Sequence, residues 1–185
     1  MELTVVITTI PERRQLLGRC LWYLEHQGRR DFHVIIAHGK KRGKGDKLNL
    51  AFSLVETPYV MVLDDDDWLS ERHMSSVLPV LGDHDFVGYD AAQMVLGRFA
   101  TIIPQETASH ICPIRTDLAK QVVFGNEYLS DIIWTKAVAP LVETETYVDD
   151  QLYYYDKWNP PHHTGWSPSR AVGYWPHDQT RYQWI

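Results

Sequence analysis

The chain has 185 residues, 44% hydrophobic and 23% charged, which fits one packed domain and excludes disordered and fibrous classes. A formal net charge of -6 leaves no chain-wide basic field, so nucleic acid is not expected as a partner, although Lys40, Lys41, Arg42 and Lys44 gather locally. Two cysteines, Cys20 and Cys112, each sit in an apolar stretch and are expected as reduced core residues of a cytoplasmic protein. No charged-then-apolar leader opens the chain and no apolar run nears the roughly 18 residues of a membrane span, so neither secretion nor membrane insertion is expected.

Residues 3–9 (LTVVITT) form a short β-branched run that predicts a strand buried on both faces. Pro11 ends it and suits the first turn of a helix. From Glu12 the apolar residues Leu16, Leu17, Cys20, Leu21 and Leu24 recur at helical spacing until Gly28. Residues 32–37 (FHVIIA) repeat the buried-strand pattern, so the opening reads β-α-β with a parallel pair and a right-handed crossover. Residues 38–46 (HGKKRGKGD), with three glycines and four basic side chains, predict a loop. Leu48, Leu50, Ala51, Leu54 and Val55 mark a helix closed by Thr57 and Pro58, and residues 59–63 (YVMVL) a third buried strand.

That strand runs straight into Asp64, Asp65, Asp66, Asp67 and Trp68, and Ser70 is placed to cap a helix over 71–81. Strand alternating with helix predicts an α/β sheet covered on both faces. The second half is less regular: residues 86–89, 93–96 and 99–103 read as short, partly antiparallel strands, 131–139 as a helix, and 143–148 and 151–155 as further strands. From Lys157 the chain is rich in Pro, His, Trp, Tyr and Gly, without periodicity.

Four successive aspartates cannot lie inside a strand, because like charges that close need solvent, protons or a cation. Just past Leu63 they stand at the carboxyl end of a central strand, where open α/β sheets bind ligands. Hard carboxylate oxygens suit Mg2+ or Mn2+, each of which keeps one or two protein carboxylates beside substrate phosphates. A solvated acidic turn is the plainer alternative; the apolar strand before the run and Trp68-Leu69 after it favour a site. An EF-hand would need a central glycine and a closing Glu within 64–75, and neither is there. Zinc would need Cys or His at ligand spacing, and His73 stands alone.

In order along the chain, 5–13 (VVITTIPER), 43–49 (GKGDKLN), 62–68 (VLDDDDW) and, more weakly, Ser130-Asp131 followed by 152–155 (LYYY) resemble the inverting GT-A glycosyltransferases of the family 2 type. The resemblance implies a GT-A fold, a mixed and mostly parallel central sheet flanked by helices with a Rossmann-like N-terminal half. It spans 1–185 as a single domain: a nucleotide-sugar half at 1–82, an acceptor-side half at 83–157 and an aromatic tail at 158–185.

It implies transfer of a sugar from a nucleoside-diphosphate sugar, UDP-sugar favoured, to the hydroxyl of a glycan, protein or small molecule, aided by Mn2+ or Mg2+. Thr8, Thr9, Pro11, Glu12 and Arg13 would then contact base and ribose, and Lys47 and Asn49 would approach the donor. Asp64 would touch the ribose and, with Asp66, the cation; Asp65 or Asp67 would assist, and His163, beside His162, would be a third ligand. Inversion needs a base for the acceptor hydroxyl, and Asp131 holds the matching position, with Asp149 and Asp150 in reserve.

Two departures stand out. Members of this family commonly carry an acidic pair where this chain has Ser130-Asp131, and an aspartate for uracil where it has His38-Gly39-Lys40. The aromatic residues Trp158, Trp166, Tyr174, Trp175, Tyr182 and Trp184 are read as core or as sugar-stacking surfaces. A carbohydrate- or nucleotide-binding protein that kept the fold without the chemistry is the competing reading. A sugar-nucleotide pyrophosphorylase would want a glycine-rich loop where Thr9-Ile10-Pro11-Glu12-Arg13 stands.

Overall fold

The opening β-branched run becomes β1 (Leu3–Thr9), buried at every residue. The structure, a computed structural model, describes residues 1–95, 98–156 and 181–185. After β1 a 3-10 turn at Pro11–Arg13 precedes α1 (Arg14–Glu25), so the regular helix starts two residues beyond Glu12. Leu17, Cys20, Leu21 and Leu24 form its inner face. β2 (His33–His38) lies parallel to β1, with Thr4 opposite His33 and Thr9 opposite His38.

α2 (Lys44–Leu54) begins inside the stretch expected to be a loop. Gly43 enters it in extended conformation, and at Gly45 a Cβ would collide with the carbonyl of Gly125, so glycine there lets the 124–126 backbone close on the helix start. β3 (Tyr59–Asp64) pairs parallel with the other edge of β1, from Leu3 opposite Tyr59 to Thr8 opposite Asp64. Val5, Val6 and Ile7 of β1 and Val60, Met61, Val62 and Leu63 of β3 are fully buried, the signature of strands covered on both faces.

Trp68 and Leu69 form β4 (Trp68–Leu69), where no strand was expected. The helix expected over 71–81 shrinks to α3 (His73–Val77) and a 3-10 turn at Leu78–Val80, because Pro79 has no N–H to continue the ladder. β5 (Phe86–Val95) merges two expected strands and pairs antiparallel with β6 (Arg98–Pro104). β7 (Ile114–Arg115) and α4 (Thr116–Ala119) were not anticipated; α5 (Ser130–Val138) was, and ends in a 3-10 turn at Ala139–Leu141 containing Pro140. β8 (Glu145–Asp156) joins the last two expected strands; the register slips between Tyr89 and Ala91 of β5, so Asp149 and Asp150 bulge out of the pairing. β9 (Tyr182–Trp184) lies beside β2.

Among the described residues these strands make one nine-stranded sheet, ordered β4-β8-β5-β7-β3-β1-β2-β9, with β6 on β5. The ladders of β1 with β2 and β3 and of β5 with β8 are parallel and that of β5 with β6 is antiparallel, which makes the sheet mixed and mostly parallel. β7 runs antiparallel to both β3 and β5, so β5 and β8 point the same way as β3. Yet β7 meets β3 only at Tyr59 and Val60, and β5 only at Phe86. Beyond those pairs the halves part, and residues 64–67 cross from β3 to β4, which lies on the far edge of β8. Cys20 and Cys112 are buried free thiols, as expected of core residues. No described helix is long and apolar enough to cross a membrane.

Candidate active site

The acidic run bridges the two halves of the sheet as a tight turn closed by the Asp67 amide donating to the Asp64 carbonyl at 3.0 Å. Its four carboxylates alternate. Asp65, 1% exposed, accepts from the Thr9 hydroxyl at 2.7 Å and pairs with Arg13 Nη2 at 2.9 Å. Asp67, 4% exposed, accepts from the Tyr153 hydroxyl at 2.7 Å and the Asp156 amide at 2.8 Å, both on β8. Asp64 and Asp66 keep 25% and 32% of their side chains accessible. They meet cations instead: Lys44 Nζ lies 2.7 Å from Asp64 Oδ1, and Arg13 Nη2 2.5 Å from Asp66 Oδ2.

Behind the turn, the buried Arg19 of α1 donates to Asp156 Oδ2 at 2.8 Å and to the carbonyl of Asp66, with its guanidinium 4.7 Å from the ring centre of Trp68. Trp68 in turn stacks on Tyr154 at 5.5 Å. Thus α1, β4 and β8 fix the backbone of the run, while β1 and the turn after it hold Asp65.

Burial would push Asp64 up, but the charges of Lys44, His110 and Arg13 hold it below the usual carboxylate range. Burial pushes Asp65 up to about 7, against Arg13 and the Thr9 hydroxyl. For Asp66 burial and the charge of Asp64 raise the pKa against Arg13. For Asp67 burial, Asp66 and Asp64 raise it well above the ordinary value, against the Asp156 amide and Tyr153. Crowding and burial thus favour protons or a further cation on the run beyond what Lys44 and Arg13 supply. One oxygen from each of Asp64, Asp66 and Asp67 lies within 4.8 Å of the others, so hard donors converge as Mg2+ or Mn2+ needs.

The residues expected at the site fall into groups. Thr8 is buried opposite Asp64, Thr9 and Arg13 hold Asp65, and Pro11 and Glu12 lie in the exposed turn, where the bond to Lys40 lowers the Glu12 pKa. Lys47 spends its ammonium on the carbonyls of Thr9 at 2.9 Å and Gly39 at 3.3 Å, tying β1 to the loop after β2. The Asn49 amide bonds both backbone groups of Phe124 at 2.9 Å, clamping α2 to the segment before α5. Asp131 opens α5, where its Oδ1 accepts the Ile132 amide at 2.9 Å, and its charge bears on Lys44 and His110. Asp150 pairs with Arg72 at 2.9 Å.

His162 and His163, with Trp158, Trp166, Tyr174 and Trp175, lie outside the described residues. Tyr182 is buried and donates to Glu25 at 2.7 Å, while Trp184 meets His38 edge-on at 6.1 Å, so both complete the core. Sequence reasoning did not single out Arg19, His110 or Asp156; it took Tyr153 only as part of the weakly matching stretch 152–155, and Lys44 as part of the basic loop over 38–46. Only for Tyr153 was there a signal: a Tyr-Tyr-Tyr run on a strand puts Tyr153 and Tyr155 on one face, where their rings lie 4.9 Å apart.

The sequence pattern described as "Glycosyl transferase family 2" matches residues 24–126, which run from the end of α1 past the acidic turn to Asn126. No curated protein matches the chain in sequence. Among solved structures the fold is similar to S. aureus TarS 1-349 in complex with UDP-GlcNAc, with TM-score 0.72 and 16% identity over 86% of this chain and 59% of that one. The complex of the same protein with UDP gives 0.71 and 15% over 84% and 60%. A longer TarS structure gives 0.70 and 16%, with 84% of this chain covering 37% of that chain. The chain thus spans between 37% and 60% of these TarS structures.

Proposed function

Because the chain belongs to glycosyl transferase family 2, we propose that it moves a sugar from a nucleoside-diphosphate sugar, with UDP as the first choice of nucleotide, to an acceptor hydroxyl with inversion at the anomeric carbon. One observation carries the reading: the run alternates so that Asp64 and Asp66 stay partly accessible beside Lys44 and Arg13, while Asp65 and Asp67 are buried and held by Thr9, Tyr153 and the Asp156 amide. The match of fold to TarS, whose structures include complexes with UDP-GlcNAc and UDP, supports the choice of nucleotide.

Asp64 and Asp66 would hold Mn2+ or Mg2+, with Asp67 behind them, and the converging oxygens fit such an ion. When bound, the ion supplies charge neutralisation to the departing diphosphate. The chain's own residues do the rest. Arg13, oriented by Asp65, presents its guanidinium beside Asp66, where an anionic donor group is met by a planar cation. Asp131 takes the proton from the acceptor hydroxyl as that oxygen bonds to the anomeric carbon and the bond from this carbon to the phosphate oxygen breaks. Lys47 and Asn49 keep the loop after β2 and the segment before α5 in place around the donor.

Calorimetry with UDP in Mn2+ tests the proposal, and binding that depends on the metal is expected. Absence of metal-dependent binding for every common nucleoside diphosphate removes it. Slow Mn2+-dependent hydrolysis of a UDP-sugar separates a transferase from a protein that only binds, since the latter shows none.

A further inference from the structure

Lys44 and Lys47 are three residues apart on one helix and do opposite things. Lys47 is 8% exposed, and its ammonium is fixed between two backbone carbonyls. Lys44 keeps 43% of its side chain accessible and pairs with one oxygen of Asp64 at 2.7 Å. Its backbone is nevertheless rigid: at Gly43 and Gly45, on either side of it, a Cβ would collide with Asn126 and Gly125, and the Asn126 amide oxygen accepts the Asp46 N–H at 3.2 Å. A fixed stem thus carries a movable charge. The carboxylates of Asp64, Asp131 and Asp66 all act on that charge.

Resting on the reading above, the geometry points to Lys44 as an internal counter-ion that neutralises Asp64 in the free chain and passes to a phosphate oxygen of the nucleoside diphosphate when a divalent cation takes Asp64. A divalent ion on Asp64 would face the Lys44 ammonium at contact range, and that like-charge repulsion outweighs the return from a partly exposed ion pair. The displaced ammonium needs a new anion, and the diphosphate brings one beside it. Lysine suits the exchange because it binds phosphate as a point charge on a flexible stem, with no bidentate geometry to break. Metal and nucleotide then help each other through this residue, as linkage requires of two ligands that displace one shared contact.

Titrating Mn2+ alone, and then UDP at saturating Mn2+, into wild type and Lys44→Met separates the two halves of the exchange. The variant should bind Mn2+ alone roughly threefold or more tighter, because the competing ammonium is gone, and UDP about tenfold more weakly, because a charge-assisted bond to phosphate is lost. Unchanged or weaker Mn2+ binding in the variant, or unchanged UDP binding, overturns the assignment. Lys44→Gln replaces it should the Met variant melt below wild type. If wild type itself binds no nucleoside diphosphate in Mn2+, the transferase reading fails; if wild type binds and the variant does not differ, only the role of Lys44 fails.

Discussion

The first three strands of the sheet and strands β5 to β8 are put together differently, and the candidate active site lies on the seam. β1, β2 and β3 are continuous apolar runs joined by helices and paired in unbroken parallel register. β5 to β8 include a strand of mostly exposed residues, a bulge at Asp149 and Asp150, and the two-residue β7 that, among the described residues, alone links the halves through strand pairing. Asp64 to Asp67 belong to the first half by chain and to the second by their braces, Tyr153 and Asp156. Ligand-facing groups can therefore come from a local motif, while the groups that hold them come from almost a hundred residues away.

Four experiments press on that division. The largest effect is expected at the outward pair: Asp66→Ala should cut transfer by about a thousandfold or more with little change in melting temperature, since it removes charge that the reaction needs and nothing that packs. Retained activity would reassign the run. Next is the brace: Arg19→Leu takes the 2.8 Å Arg19 ion pair away from the buried Asp156 carboxylate, a loss of about 3–5 kcal/mol. For a chain of this size that lowers the melting temperature by about 10 °C.

Smaller again is Tyr153→Phe, which deprives Asp67 of one donor and should cost about 1–3 kcal/mol in chemical denaturation. Equal losses of activity at Tyr153 and Asp66 would mean that inward and outward carboxylates do not differ in role. The remaining test is a pH dependence at the inward carboxylate. Folding raises the Asp65 pKa from 3.8 to about 7, so its contribution to stability is full below the unfolded value and is lost as pH rises through about 7. The melting temperature of Asp65→Asn relative to wild type should therefore rise between pH 4 and pH 7 and level off above; a flat difference would show that Asp65 is ionised throughout.

How much was legible follows the same seam. Residues 3–9, 32–37 and 59–63 read correctly because strands buried on both faces leave uninterrupted apolar runs, and the acidic turn was found because four carboxylates cannot hide in such a strand. The start of α2 was missed because Gly43 and Gly45 look like a flexible loop until Gly125 and Asn126 are seen against them. β7 is too short for any period, and its existence depends on the pairing of Tyr59 with Arg115 across 56 positions of chain. Arg19 was not singled out, since nothing local shows that Asp156 will lie 2.8 Å away. The resemblance located Asp131 at the head of a helix, and the fold brings that residue's charge to bear on Lys44 and His110.

The claim that most depends on this geometry is that Asp66 faces a cation and a diphosphate. Calorimetric titration of UDP into wild type and Asp66→Ala, each with Mn2+ and again with the metal chelated, reads it directly. Heat of binding only for wild type in Mn2+ is the predicted result; equal UDP binding by Asp66→Ala, or by wild type without metal, would contradict it.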